Sequence, residues 1–374
     1  MKIVVAIDSF KGSLTAVQAC ETVAQAIRSV LAQAEVVTKP MADGGEGTAS
    51  VLMAAAGGQW ISRAVMGPLP DMKVEAGFVW LGKDRTAVVE MATAAGLQLL
   101  RPEQRNPLKT TTYGVGQLIQ ATLEYGARRI LLAIGGSATV DGGVGAAAAL
   151  GWRFLAADGQ EVGLGGGELG RISRIVRPER GLTAAVEVLC DVDNPLCGEH
   201  GAARVYGPQK GATPEMVETL DAALAHLAEV VKDQLGRDIA EVPGAGAAGG
   251  LAAGAIAFMN ARLVCGIDTV MAQTRLHEVV AGADWVLTGE GSFDEQSLCG
   301  KVVSGVLRVA KAAGAKVGVL AGQVRLSPGQ YRRASIEAAV SCMEAGMDLE
   351  YAITHARTLL DRAARRFVRE HLST

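Results

Sequence analysis

Five aspartates of this 374-residue chain stand at or just after the expected end of a β-strand: Asp8, Asp43, Asp141, Asp191 and Asp294. Two of them are followed directly by glycine pairs, in D-G-G-E-G-T (43–48) and D-G-G-V-G (141–145). Glycine turns let backbone amides approach an anion, and a helix starting behind the turn adds a positive field. Capping of that helix explains one such aspartate, and is the favoured reading for Asp141. Five in one chain ask for more. Clustered carboxylates need a counter-charge, which Mg²⁺ supplies, and glycine-flanked amides suit phosphate, so the two together point to phosphoryl transfer. Lys11, Lys210 and Lys301 follow or lie within glycine turns, where an ammonium neutralises phosphate oxygens or a substrate carboxylate.

Other chemistries fit less well. The pattern G-x-x-x-x-G-K-[ST] is missing around Gly300-Lys301, and the protein-kinase signatures are missing too. Gly244, Gly246 and Gly249 spell G-x-G-x-x-G, with Asp268 at a ribose-binding distance, which would suit an NAD-dependent dehydrogenase of a small hydroxy acid. That alternative lacks its first strand, because A-E-V-P leaves too little chain and Pro243 blocks ladder pairing. The five histidines are scattered without H-E-x-x-H, and no G-x-S-x-G announces a serine hydrolase.

The elements that must position these residues follow an α/β rhythm. Lys2 to Ile7 is a β-branched run expected as a buried strand, and Thr15 with Gln18 forms a capping box for the helix after it. Glu35 to Thr38 is a second strand, followed by the 43–48 turn and a helix from Ala49. Between Gln59 and Met91 short alternating runs predict antiparallel strands. Ile130 to Gly151 reads as buried strand, polar turn and helix, and Thr213-Pro214 opens an amphipathic helix to Leu235. Beyond Trp285, strand and helix alternate as in βαβ units with a parallel sheet.

Length favours two domains, and 49% apolar residues allow a large core. A net charge of −3, without a long basic run, argues against nucleic acid, and no apolar run approaches a membrane span. The basic stretch Arg362 to Arg369 is expected as a solvated helix face. Six solitary cysteines and an amino terminus that reaches Asp8 before any secretory apolar region predict a cytoplasmic protein with reduced thiols.

Taken in order, D-S-F-K-G-S (8–13), A-D-G-G-E-G-T (42–48), E-M-A-T-A-A-G-L (90–97), I-G-G-S-A-T-V-D-G-G-V-G (134–145), C-D-V-D-N-P-L-C-G (190–198), G-P-Q-K-G (207–211), P-G-A-G-A-A-G-G (243–250) and L-T-G-E-G-S-F-D-E-Q-S-L-C-G-K (287–301) resemble the type I glycerate kinase family of bacteria, nearly end to end. The resemblance implies ATP and Mg²⁺, and phosphorylation of D-glycerate at the 2-hydroxyl, with a 3-phosphoglycerate-forming kinase as the alternative. It also implies two α/β domains, one Rossmann-like with a parallel sheet and discontinuous in sequence, and an active site in the crevice between them. The expected division is 1–60 plus 275–374, with 115–150, for the Rossmann-like domain, and 61–114 plus 151–274 for a second with a mixed sheet. The expected assembly is a monomer or homodimer. Ile7 and Val303 stand where the family pattern has proline, and Gln117 where it has glutamate; Gln117 is expected on a helix surface.

Within this frame Asp191 or Asp8 is the base, and Lys11, Lys210 and Lys301 bind the glycerate carboxylate and the transferring group. Glu290, Asp294 and Asp43 are assigned to Mg²⁺. Gly44, Gly45, Gly135, Gly136, Ser137, Thr139, Gly244, Gly246, Gly249 and Gly250 are assigned to phosphate or nucleotide.

Overall fold

A computed structural model describes residues 1–372. The chain divides into two compact units, one formed by 1–43, 50–56 and 267–374 and the other by 44–49 and 57–266.

The first unit is built on a five-stranded sheet in the order Ala338–Ser341, Lys316–Ala321, Trp285–Gly289, Lys2–Ile7, Glu35–Thr38. All four pairings are parallel. From Lys2–Ile7 the chain moves outward to Glu35–Thr38, whereas the strands after Trp285 build away on the other side, so the winding reverses between Lys2–Ile7 and Trp285–Gly289. Parallel strands covered on both faces must be apolar throughout, and Ile3 to Ile7 are wholly buried. The helix Ala16–Val30 starts with Thr15 Oγ accepting from the Gln18 amide and Gln18 answering the Thr15 amide, which is the expected capping box. It packs with the last helix, Ala356–His371, over a core of Ile3, Val5, Val23, Ile27, Leu360 and Phe367. The arginines of that last helix are partly engaged: Arg365 donates to Asp361 and Ser29, and Arg366 to the Ser341 carbonyl.

The second unit carries a six-stranded mixed sheet in the order Arg262–Val264, Ala185–Leu189, Arg129–Ala133, Thr86–Glu90, Lys73–Leu81, Gln59–Met66. The first four strands are parallel and the last two antiparallel, as the alternating runs before Met91 require. Residues 115–150, expected with the Rossmann-like unit, belong here. The physical reason is that Arg129–Ala133 forms its ladders with Thr86–Glu90 and Ala185–Leu189. Gln117 is half-buried rather than on a helix surface, and its Oε1 accepts from the Met66 amide at 2.7 Å. A glutamine can make that bond, accepting through its amide oxygen where a glutamate would use its carboxylate. Two apolar clusters fill the unit, one around Phe78, Leu118, Ile130 and Leu251, the other around Leu220, Leu224, Leu227 and Phe258 beside the helix Pro214–Leu235.

Close strand contact in the first unit depends on Gly289, where an added Cβ would lie 1.8 Å from the Leu320 carbonyl oxygen. Backbone cannot yield as a side chain does. Gly289→Ala is therefore expected to destabilise that unit by about 2–4 kcal/mol, read as a lowered midpoint in urea unfolding followed by circular dichroism.

Candidate active site

Strand pairing sets the first group of residues. Ile7 lies opposite Gly289, and the Asp8 amide continues the ladder by donating to the Gly289 carbonyl at 2.9 Å. Asp8 and Glu290 are thereby placed at the carboxyl ends of adjacent strands, at the point where the winding reverses, which is where open α/β sheets bind ligands. Asp8 Oδ1 accepts from the Ser9 amide at 2.6 Å. Burial, then the Asp43 charge and more weakly that of Glu290, push Asp8 up to about 8, against the lowering effects of the Ser9 amide and the Lys11 ammonium. Glu290 is also raised, by burial first, while a hydrogen bond with Ser297 and the Lys301 ammonium oppose the shift. Its Oε1 is buried without a hydrogen-bond partner.

Asp43 and Glu290 raise Asp8, Asp294 and Asp43 raise Glu290, and one Glu290 oxygen is unpaired, which is the condition a bound cation relieves. No group of three or more Cys, His, Asp or Glu among the described residues forms a ready metal cage. Mg²⁺ does not need one, since it commonly takes one or two carboxylates with water and phosphate completing its shell. The set fits Mg²⁺ in that form. Asp294 is differently occupied: its Oδ1 accepts from the Gln296 amide at 3.0 Å, and its own amide donates to Ser297 Oγ, so it caps the turn Glu295–Leu298. Lys301 Nζ reaches Gln296 Oε1 at 3.2 Å, and Lys11 is exposed.

In the second unit, register aligns Glu90, Ala133 and Leu189. The chain leaving those strand ends carries Gly135, Gly136, Ser137 and Asp191, and the 44–48 turn joins them. An added Cβ on Gly135 would stand 2.5 Å from Gly45 Cα, so two glycine turns meet backbone to backbone. One on Gly44 would stand 2.7 Å from Leu189 Cβ. Gly136 is exposed with φ of +73°. Asp191 Oδ1 accepts from the Gly266 amide at 2.8 Å.

Several expected site residues lie elsewhere. Lys210 is only 2% exposed, and its Nζ donates to the Thr139 carbonyl at 2.7 Å. Burial lowers it to about 7, with Asp141 opposing. It is a strut inside the unit, too deep to meet substrate. Thr139 is itself wholly buried. Asp141, also fully buried, accepts from the amides of Thr112, Gly143 and Gly145 and from the hydroxyls of Thr111 and Thr112. That is the helix-capping role the sequence favoured, extended to the Thr110–Thr112 loop. The Gly244–Gly250 turn packs on protein: added Cβ atoms on Gly246 and Gly249 would stand 2.2 Å from the Pro195 oxygen and 1.9 Å from the Thr139 oxygen. Those on Gly244 and Gly250 would stand 2.9 Å from the Val192 oxygen and 2.8 Å from Leu196 Cδ1. Its glycines serve close packing, not a phosphate. Glu90, by contrast, escaped the sequence reading. The signal was a lone carboxylate closing the apolar run T-A-V-V-E.

A doubly wound sheet with carboxylates and lysines at its reversal point has the groups that an α/β phosphotransferase requires. The Glycerate kinase family profile matches residues 3–372. The chain is 46% identical to the glycerate kinase of Halalkalibacterium halodurans, over 97% of this chain and 96% of that one. It is 42% identical to the glycerate 2-kinase of Escherichia coli, over 98% and 96% of the two chains. A crystal structure assigned as glycerate kinase 2 from Salmonella typhimurium LT2 superposes with a TM-score of 0.85 at 40% identity, covering 99% of this chain and 98% of that one. The chain belongs to the glycerate kinase family. This membership replaces the dehydrogenase alternative, whose glycine turn is packed shut. No helix among the described residues is long and apolar enough to cross a membrane.

The Asp8 shift has a thermodynamic consequence. With its folded value raised from 3.8 to about 8, Asp8 favours folding only while protonated, and that contribution is lost as pH rises between those values. Asp8→Asn in metal-free protein is therefore expected to match the parent near the lower value and to exceed it in Tm near the upper one. Each kcal/mol relieved corresponds to roughly 2–4 °C for a unit of this size; calorimetry across that range, with a chelator present, checks it.

Proposed function

We propose that this protein transfers the γ-phosphoryl group of ATP to D-glycerate, at the 2-hydroxyl, to give 2-phospho-D-glycerate and ADP in the cytoplasm. The observation that carries this reading is Asp8, a carboxylate at the sheet reversal that burial and its neighbours tune to about 8. A base working near neutral pH needs such a value, and phosphoryl transfer otherwise asks mainly for positioning and charge neutralisation. Family membership supplies the substrate pair, and the E. coli relative's name supports the 2-position.

In this reading Asp8 accepts the proton of the attacking hydroxyl. Asp191, whose Oδ1 accepts from the Gly266 amide, is assigned to orienting its surroundings. Lys11 and Lys301 offset negative charge on the substrate carboxylate and the phosphates. Asp43 and Glu290 would hold Mg²⁺, which when bound draws charge from the phosphate oxygens. In the second unit the amides of the 44–48 and 135–137 turns are the groups offered to phosphate.

Phosphorus NMR of the product from D-glycerate, ATP and Mg²⁺ is expected to show 2-phosphoglycerate; 3-phosphoglycerate would overturn the regiochemistry. Asp8→Asn is expected to lower kcat by about 10²–10⁴-fold, and Asp191→Asn by less than about tenfold. The reverse ranking would make Asp191 the base.

A further inference from the structure

We infer that Glu90, which the reaction as derived does not use, is a positioning residue that holds the Gly44–Thr48 turn in its phosphate-binding form through its ionised carboxylate. The inference rests on the reading that this turn and its neighbour, Gly135–Ser137, meet phosphate.

Glu90 ends the strand Thr86–Glu90 and is 8% exposed. Its Oε1 accepts from the Ala49 amide at 2.6 Å, in the first turn of the helix Thr48–Ala56. The Gly47 amide supplies a second backbone interaction. A side chain from a distant strand, 41 residues away in sequence, thus caps this helix where a local residue ordinarily would. The turn is closed on itself by Thr48 Oγ donating to the Gly45 carbonyl at 2.8 Å. Gly45 in turn abuts Gly135. The backbone of Glu90 is fixed as well: it lies in register with Ala133, the Met91 amide donates to the Ala133 carbonyl, and Thr93 Oγ donates to the Glu90 carbonyl. One carboxylate therefore links the strand ends to both glycine turns.

Burial raises Glu90 to about 7, with the facing Glu46 carboxylate adding to the shift and the Ala49 and Gly47 amides opposing it. Ionised above that value, the carboxylate is a strong acceptor for both amides. Protonated below it, the hold weakens.

Steady-state kinetics of the full-length protein against pH test this. The parent is expected to show an acid limb in kcat/KM for ATP to which two groups contribute, Asp8 near 8 and Glu90 near 7. Glu90→Gln should remove the lower of the two ionisations from that limb, leaving the one of Asp8, and raise KM for ATP roughly tenfold above it, with kcat changed less, because a neutral amide is a weaker acceptor. An unmoved limb in Glu90→Gln, or kinetics within about twofold of the parent throughout, would overturn the assignment when the protection of the turn against hydrogen exchange is also unchanged by pH. A second measurement needs neither variant nor turnover. Amide hydrogen exchange across 43–56 in the parent, corrected for intrinsic pH dependence, should lose protection as pH falls through 7 while Arg129–Ala133 keeps its own. Equal protection on both sides would count against Glu90 even in an active enzyme. If protection falls but KM for ATP is untouched, Glu90 holds the turn and it is the phosphate reading that fails.

Discussion

The ladder between Lys2–Ile7 and Trp285–Gly289 is the contact on which the first unit's chemistry depends. It joins segments from opposite ends of the chain, and its register decides which side chains emerge together beyond the sheet. Because Ile7 is matched to Gly289, the next residues out are Asp8 and Glu290. A slip of one position would turn each strand's side chains to the opposite face and part the two acids. The pair is electrostatically unfavourable, and the buried apolar residues of the sheet hold it in place. Such a site is destabilised until a ligand supplies positive charge, which is how active sites commonly store the capacity to bind.

The second unit solves a different problem by similar means. Its parallel strands end at the same level, and what leaves them is glycine-rich backbone more than charge. Amides become available only if the turns are prevented from satisfying themselves locally, and here distant groups hold them. Thr139 is pinned by Lys210, the Thr110–Thr112 loop by Asp141, and the 44–48 turn by Glu90. The price is three buried ionisable groups, each kept by specific hydrogen bonds rather than by ion pairing.

Much of this was legible in the sequence. The capping box at Thr15, the strand Lys2–Ile7, the antiparallel runs before Met91 and the alternating final third follow from short-range pattern, and all are present. The resemblance carried the family. Sequence could not separate glycines that face a ligand from glycines that face protein, because both are small-residue turns after an apolar run. Gly135 and Gly249 look alike until one sees that the first abuts another turn and the second a carbonyl. Lys210 misled for the same reason: a lysine in a glycine turn is usually solvated, and only tertiary packing puts it inside. Domain membership of 115–150 depended on strand partners, which local pattern does not specify.

The discontinuous first unit also bears on biosynthesis. Its opening strand leaves the ribosome about 280 residues ahead of the strand that must pair with it, a delay on the order of tens of seconds at bacterial elongation rates. By the end of that interval the whole of the second unit has emerged and is free to fold. The apolar segment Ile3 to Ile7 meanwhile has no permanent neighbour on its Trp285 side. Nascent chains of this protein should accordingly carry a waiting hydrophobic strand, an address for chaperones that disappears only after Trp285–Gly289 has emerged.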